Sequence, residues 1–114
     1  MTAPVEIAVE RHGGTLVAHV TGEVDMTNAG HVRDQVLDSV PNDALGLVID
    51  LTECRYLDSA GIEVIFDLAR RLRRRRQELR VVVPHGSPLT RVLELTEVAT
   101  AAPIHETVDS ALAG

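Results

Sequence analysis

At 114 residues and 45% hydrophobic content, the chain has the size of one domain and enough apolar material for a core without staples. A net charge of -6, with one Phe, one Tyr and no Trp, excludes a general nucleic-acid binder: the charge repels phosphate and the base-stacking rings are missing. The lone Cys54 excludes an internal disulfide, no apolar run approaches the ~20 residues that span a bilayer, and no secretory leader is legible; a cytoplasmic protein without membrane insertion is expected.

Val5 to Glu10 and Thr15 to Val20 alternate apolar and polar residues around Gly13-Gly14, which predicts a β-hairpin. After Gly22-Glu23-Val24-Asp25 a helix is predicted from Thr27 or Asn28, with Val32, Val36, Leu37 and Val40 on one face and a stop at Pro41. Leu45 to Leu51 is a nearly unbroken apolar run, the pattern of a strand covered on both faces. Just past it, Cys54 reads as a small core hydrophobe, since no neighbouring His or Lys activates its thiol.

A second helix is predicted from Ser59, where Ile62, Ile65, Phe66, Leu68, Ala69 and Leu72 draw one stripe and Glu63, Asp67 and Arg70 face away. It ends in a run holding Arg70, Arg71, Arg73, Arg74, Arg75 and Arg76, which suits the negative end of the helix dipole and an exposed face. Leu79 to Val83 reads as another buried strand, and Ser87-Pro88 as the cap and first residue of a helix turning Leu89, Val92, Leu93 and Thr96 inward. A short segment around Ala101 to Ile104 and a helical turn from Thr107 to Leu112 follow. The pattern predicts an α/β fold, one domain over residues 1–114, with about four helices and a mixed sheet, parallel in its centre and bearing the N-terminal hairpin.

The chemistry concentrates in Leu57-Asp58-Ser59-Ala60-Gly61, a hydroxyl between a carboxylate and two small residues where a strand gives way to a helix. Backbone N–H groups and the positive end of the helix dipole tolerate a phosphate there, so Ser59 is a candidate switch. The competing reading makes Asp58 or Ser59 a plain N-cap. Against it, Gly61 costs about 1 kcal/mol in a helix with no turn to require it, and Ile62 stands where a capping box has Glu or Gln. On this reading the small residues leave the hydroxyl uncovered.

Enzymatic alternatives lack their parts. A serine hydrolase wants Gly-x-Ser-x-Gly, but Ser59 lies in Asp-Ser-Ala-Gly with no histidine placed to activate it. His12, His19, His31, His85 and His105 form no i, i+4 pair for a metal, and a chain without lysine has no phosphate loop. No catalytic activity, metal or cofactor is expected.

Three stretches, taken in order, resemble a known family: Gly22-Glu23-Val24-Asp25; Val48-Ile49-Asp50-Leu51 leading to Leu57-Asp58-Ser59-Ala60-Gly61-Ile62; and Pro88-Leu89-Thr90-Arg91-Val92-Leu93-Glu94-Leu95-Thr96. The chain resembles the STAS-type anti-sigma factor antagonists, sporulation and stress-response regulators of transcription that bind serine-kinase anti-sigma factors. The resemblance covers nearly the whole chain. It implies that Ser59 is the phosphoacceptor, that Asp25 is an acidic residue beside it used in phosphorylation and binding, and that Asp25, Asp58, Ser59, Ala60 and Gly61 form the partner-binding set. The implied partners are an anti-sigma factor serine kinase, captured by the unphosphorylated form so that a sigma factor is released, and a phosphatase acting on phosphorylated Ser59. The alternative it leaves open is an accessory subunit of a membrane transport system, with the same fold as a constitutive docking piece. Three positions depart from the family pattern: Ala60 replaces a frequent second serine, Asn28-Ala29-Gly30 opens the first helix, and Glu97 stands where glycine often ends the third helix, which should then close differently.

Overall fold

In a computed structural model, residues 4–114 are described. Alternation and Gly13 produce the hairpin: β1 (Glu6–His12) and β2 (Thr15–Val24) pair antiparallel, from Glu6 opposite Thr21 to His12 opposite Thr15, and Gly13 takes the left-handed φ of +61° in the turn. Parallel to the first half of β2 lies β3 (Gly46–Asp50), then β5 (Glu78–Val82) and the two-residue β6 (Ile104–His105). The sheet order is β1-β2-β3-β5-β6, mixed and parallel in its centre as expected.

One strand escapes the sequence reading. β4 (Cys54–Leu57) pairs parallel with the second half of β2, beyond the end of β3. Four residues with exposed Arg55 and Tyr56 between buried Cys54 and Leu57 carry too short a pattern to announce a strand.

Two helices, α1 (Ala29–Ser39) and α2 (Ser59–Arg74), cover one face of the sheet, packing Val32, Val36, Ile65, Leu68 and Leu72 over Leu16, Ala18, Val20, Leu47 and Ile49. Each such side chain taken fully out of water contributes about 1.5–3 kcal/mol. The other face has a thinner cover: α4 (Val108–Ala113) packs Ala111 against Val17, Val48 and Val82. Every residue of β3 is therefore buried, whereas Leu45, read as its first residue, is exposed.

Helix ends differ from expectation in instructive ways. α1 starts at Ala29 with Asn28 at its N-cap, but the Asn28 side chain makes no cap bond: its Oδ1 accepts from the Asp25 N–H and its Nδ2 donates to the Glu23 carbonyl. Ser87 Oγ accepts the Leu89 N–H at 3.1 Å, but regular helix α3 runs only over Thr90–Leu95. Glu97 does not force a different ending: it adopts the left-handed conformation itself, φ 58° and ψ 38°, and carries the roughly 1–2 kcal/mol that a side chain costs there. Thr107 caps α4 by accepting the Ser110 N–H at 3.0 Å.

Candidate functional site

Val24 ends β2 and Leu57 ends β4, and the two are paired in register. The segments that follow them, 25–28 and 58–61, therefore leave the sheet side by side at the carboxyl ends of parallel strands, where such folds place their sites.

One carboxylate ties the two segments together. Asp58 Oδ1 accepts the Gly61 N–H at 3.0 Å, which caps α2, while Oδ2 accepts the Met26 N–H at 3.0 Å. Its own N–H donates to the Val24 carbonyl at 3.3 Å. Of the two residues that could have capped the helix it is Asp58 that does so, which leaves the Ser59 hydroxyl off the cap. Ser59 is exposed, Ala60 and Asp58 are half-buried and Gly61 is buried.

The loop is held as firmly. Asp25 Oδ1 accepts the Thr27 hydroxyl at 2.5 Å and the Thr27 N–H at 2.9 Å. These bonds, the hydroxyl's first, hold its carboxyl below the ordinary 3.8, so Asp25 is a carboxylate throughout the neutral range.

Gly61 requires a correction. A Cβ at this position would lie 2.8 Å from the Val24 carbonyl oxygen and 3.1 Å from Leu57 Cδ2. The glycine is there because the last carbonyl of β2 crosses the first turn of α2, a structural gain the sequence alone did not reveal. Uncovering Ser59 is not needed to explain it.

Residues 6–111 match the family model described as STAS domain. The chain belongs to the STAS domain family. It is 28% identical over 117 residues to the anti-sigma-F factor antagonist RsfB of Mycobacterium tuberculosis, covering 100% of this chain and 93% of that protein. With an anti-sigma-B factor antagonist of Listeria monocytogenes it shares 33% identity over 96 residues, 84% of this chain and 82% of the other. The crystal structure of an anti-sigma factor antagonist from Mycobacterium paratuberculosis superposes with a TM-score of 0.86 at 30% identity, over 99% of this chain and 97% of that one.

Within this STAS domain, the sequence reading missed two side chains near Ser59. Met26 is 80% exposed although its N–H is pinned to Asp58, and Tyr56, 49% exposed, stands three residues before Ser59 on β4. A single apolar residue in the polar run Asp25-Met26-Thr27-Asn28 was the available signal. Between α1 and α2 a shallow hollow of about 220 Å³, floored by Ala29, Gly30, Ala60 and Val64, opens next to the same turn.

The remaining candidates stay apart from it. Cys54 is buried, and burial pushes its thiol up, away from reactivity. Arg70, Arg71, Arg73, Arg74, Arg75 and Arg76 are exposed around the far end of α2, with Arg70 reaching Asp67 at 3.1 Å. Among the described residues no cluster of His, Cys, Asp and Glu is arranged for a metal, and no helix is long and apolar enough to cross a membrane.

Proposed function

We propose that this STAS domain is an anti-sigma factor antagonist whose unphosphorylated Ser59 face captures an anti-sigma factor serine kinase and so frees a sigma factor. Kinase action on Ser59 ends the complex, and a phosphatase restores it. The observation that carries this reading is the exposed Ser59 hydroxyl, standing outside the helix cap on the first turn of α2. The names of its relatives, anti-sigma factor antagonists, support the same direction.

The residues divide the work. Asp58 positions: both its oxygens are engaged, one by each segment, so it fixes Ser59 against the 25–28 loop. Asp25 contacts: its ionised carboxylate uses Oδ1 within the loop and offers Oδ2 to the partner. Half-buried Ala60 keeps the surface low beside Ser59, so a partner can close over the hydroxyl, while buried Gly61 lets the first turn of α2 sit against the Val24 carbonyl. When the γ-phosphoryl of the kinase's ATP passes to Ser59 Oγ, the hydroxyl proton leaves and ADP departs. The product carries about -1.5 to -2 charges beside Asp58 and Asp25. Like charges across an interface cost several kcal/mol, a hundredfold or more in affinity. The helix dipole returns only about 0.3–1 kcal/mol, enough to keep the phosphorylated chain folded but not to restore binding.

Incubation with an anti-sigma factor serine kinase and ATP, followed by mapping of the phosphate, tests the assignment. Phosphate on Ser59, and a Ser59→Ala chain that binds but takes none, is the expected result; phosphate on Thr52 or Ser87 overturns it.

A further inference from the structure

On the sheet face opposite α1 and α2, beside the patch that α4 covers, four polar side chains line up across three strands. His19 on β2 stands directly opposite Asp50 on β3, and its Nδ1 lies 2.6 Å from Asp50 Oδ2. Its Nε2 lies 2.7 Å from Glu10 Oε1 on β1, and the His12 Nε2 reaches the same oxygen at 3.2 Å. Carboxylate oxygens only accept, so a ring bracketed by two of them must carry a proton on each nitrogen. These surroundings favour the imidazolium form of His19.

The two carboxylates are not equivalent. Asp50 is buried and fixed, since its Oδ1 also accepts the Thr52 N–H at 3.0 Å and the Thr52 hydroxyl at 2.5 Å. Glu10 is half exposed on an edge strand that pairs with β2 alone. Stripped of one proton, the ring should keep Nδ1–H on the buried, hydrogen-bonded Asp50 and lose the bond to the exposed Glu10.

We propose that His19 is a proton-operated clasp that fastens the edge strand β1 to β2 and β3, and that it releases β1, and not β3, when the ring becomes neutral. The charges acting on the ring are those of Glu10 from β1 and Asp50 from β3, with His12 behind Glu10. The Glu10 hydrogen bond, the largest influence, together with Asp50 raises the His19 pKa above 6.5 although burial opposes it, while His19 and then His12 lower that of Glu10 from 4.5. A raised folded-state pKa gives stability that is complete below 6.5 and is lost as pH climbs through the folded value; the lowered Glu10 pKa gives stability present above 4.5 and lost on acidification through its folded value. The clasp is tightest between those limits. It stands independently of what Ser59 does.

Imidazole NMR across pH, on the wild type, Glu10→Gln and His19→Gln, tests it together with amide exchange corrected for intrinsic rates. Both His19 nitrogens should be protonated at pH 6, only Nδ1 above the midpoint; that midpoint should exceed 6.5 and drop in Glu10→Gln. Exchange from β1 should accelerate by at most about tenfold per pH unit between 6.5 and the midpoint, that from β3 should not, and His19→Gln should abolish the dependence. A midpoint at or below 6.5, one unmoved by the exposed Glu10→Gln, or β1 exchange that matches His19→Gln at every pH overturns the proposal.

Discussion

The first turn of α2 is stabilised by a residue with two duties, whereas the last turn divides the same duties between neighbours. At the start, Asp58 caps the helix and, with its other oxygen, holds Met26 from 32 residues away. At the end, closure is local: Arg76 takes a left-handed φ of 60°, its N–H donates to the Arg73 carbonyl at 3.0 Å and the Gln77 N–H to the Leu72 carbonyl at 2.9 Å. The tie to the preceding loop falls to the buried Gln77 side chain, which donates to the Pro41 carbonyl at 2.8 Å and the Ala44 carbonyl at 3.0 Å. Joining cap and strut in one side chain makes the placement of Ser59 depend on the loop that carries Asp25. The far end couples to the loop after α1 instead, through Gln77 and through Arg75, which donates to the Val40 carbonyl at 3.4 Å, and neither tie bears on Ser59.

Substitutions should separate the two ends, most strongly at Asp58. Asp58→Ala removes a cap worth about 1 kcal/mol and a second bond to a charged acceptor worth about 1.5–3, so denaturant unfolding should register a loss of about 3 kcal/mol. Hydrogen exchange at Met26 should rise in the same variant, a response that a lone cap would not give. Gly61→Ala follows, with about 1–3 kcal/mol lost to overlap with the Val24 carbonyl; a neutral or stabilising outcome would restore the view that this glycine serves only the exposure of Ser59. At the other end the sign reverses. Arg76→Gly relieves the left-handed strain and should gain about 1 kcal/mol in thermal unfolding, the larger freedom of glycine in the unfolded chain taking back part of the relief. Smallest is Arg74→Gln, exposed and at the opposite end of α2 from Ser59, which should stay within about 0.5 kcal/mol and, on the proposed function, leave partner affinity unchanged.

Period and composition carried far in this chain. The unbroken run of β3 and the stripe Ile62, Ile65, Leu68, Leu72 were legible because burial on two faces, or on one, writes itself into adjacent residues. Ser59 at the head of α2 was legible for the same reason. What stayed hidden depends on partners distant in sequence. β4 exists through its pairing with β2, and Gly61 answers to a carbonyl 37 positions earlier, by the numbering of Val24 and Gly61. Asp58 looked like a cap or a contact because nothing near it names Met26. Glu97 shows the reverse failure: a glycine preference was read as a requirement, while the chain tolerates a glutamate at φ 58°.

The most direct test is a calorimetric titration of an anti-sigma factor serine kinase with this domain before and after complete phosphorylation, the site having been mapped to Ser59. The account predicts binding by the unmodified chain and affinity at least about a hundredfold weaker once the phosphate is in place. Equal affinity in the two states would contradict it.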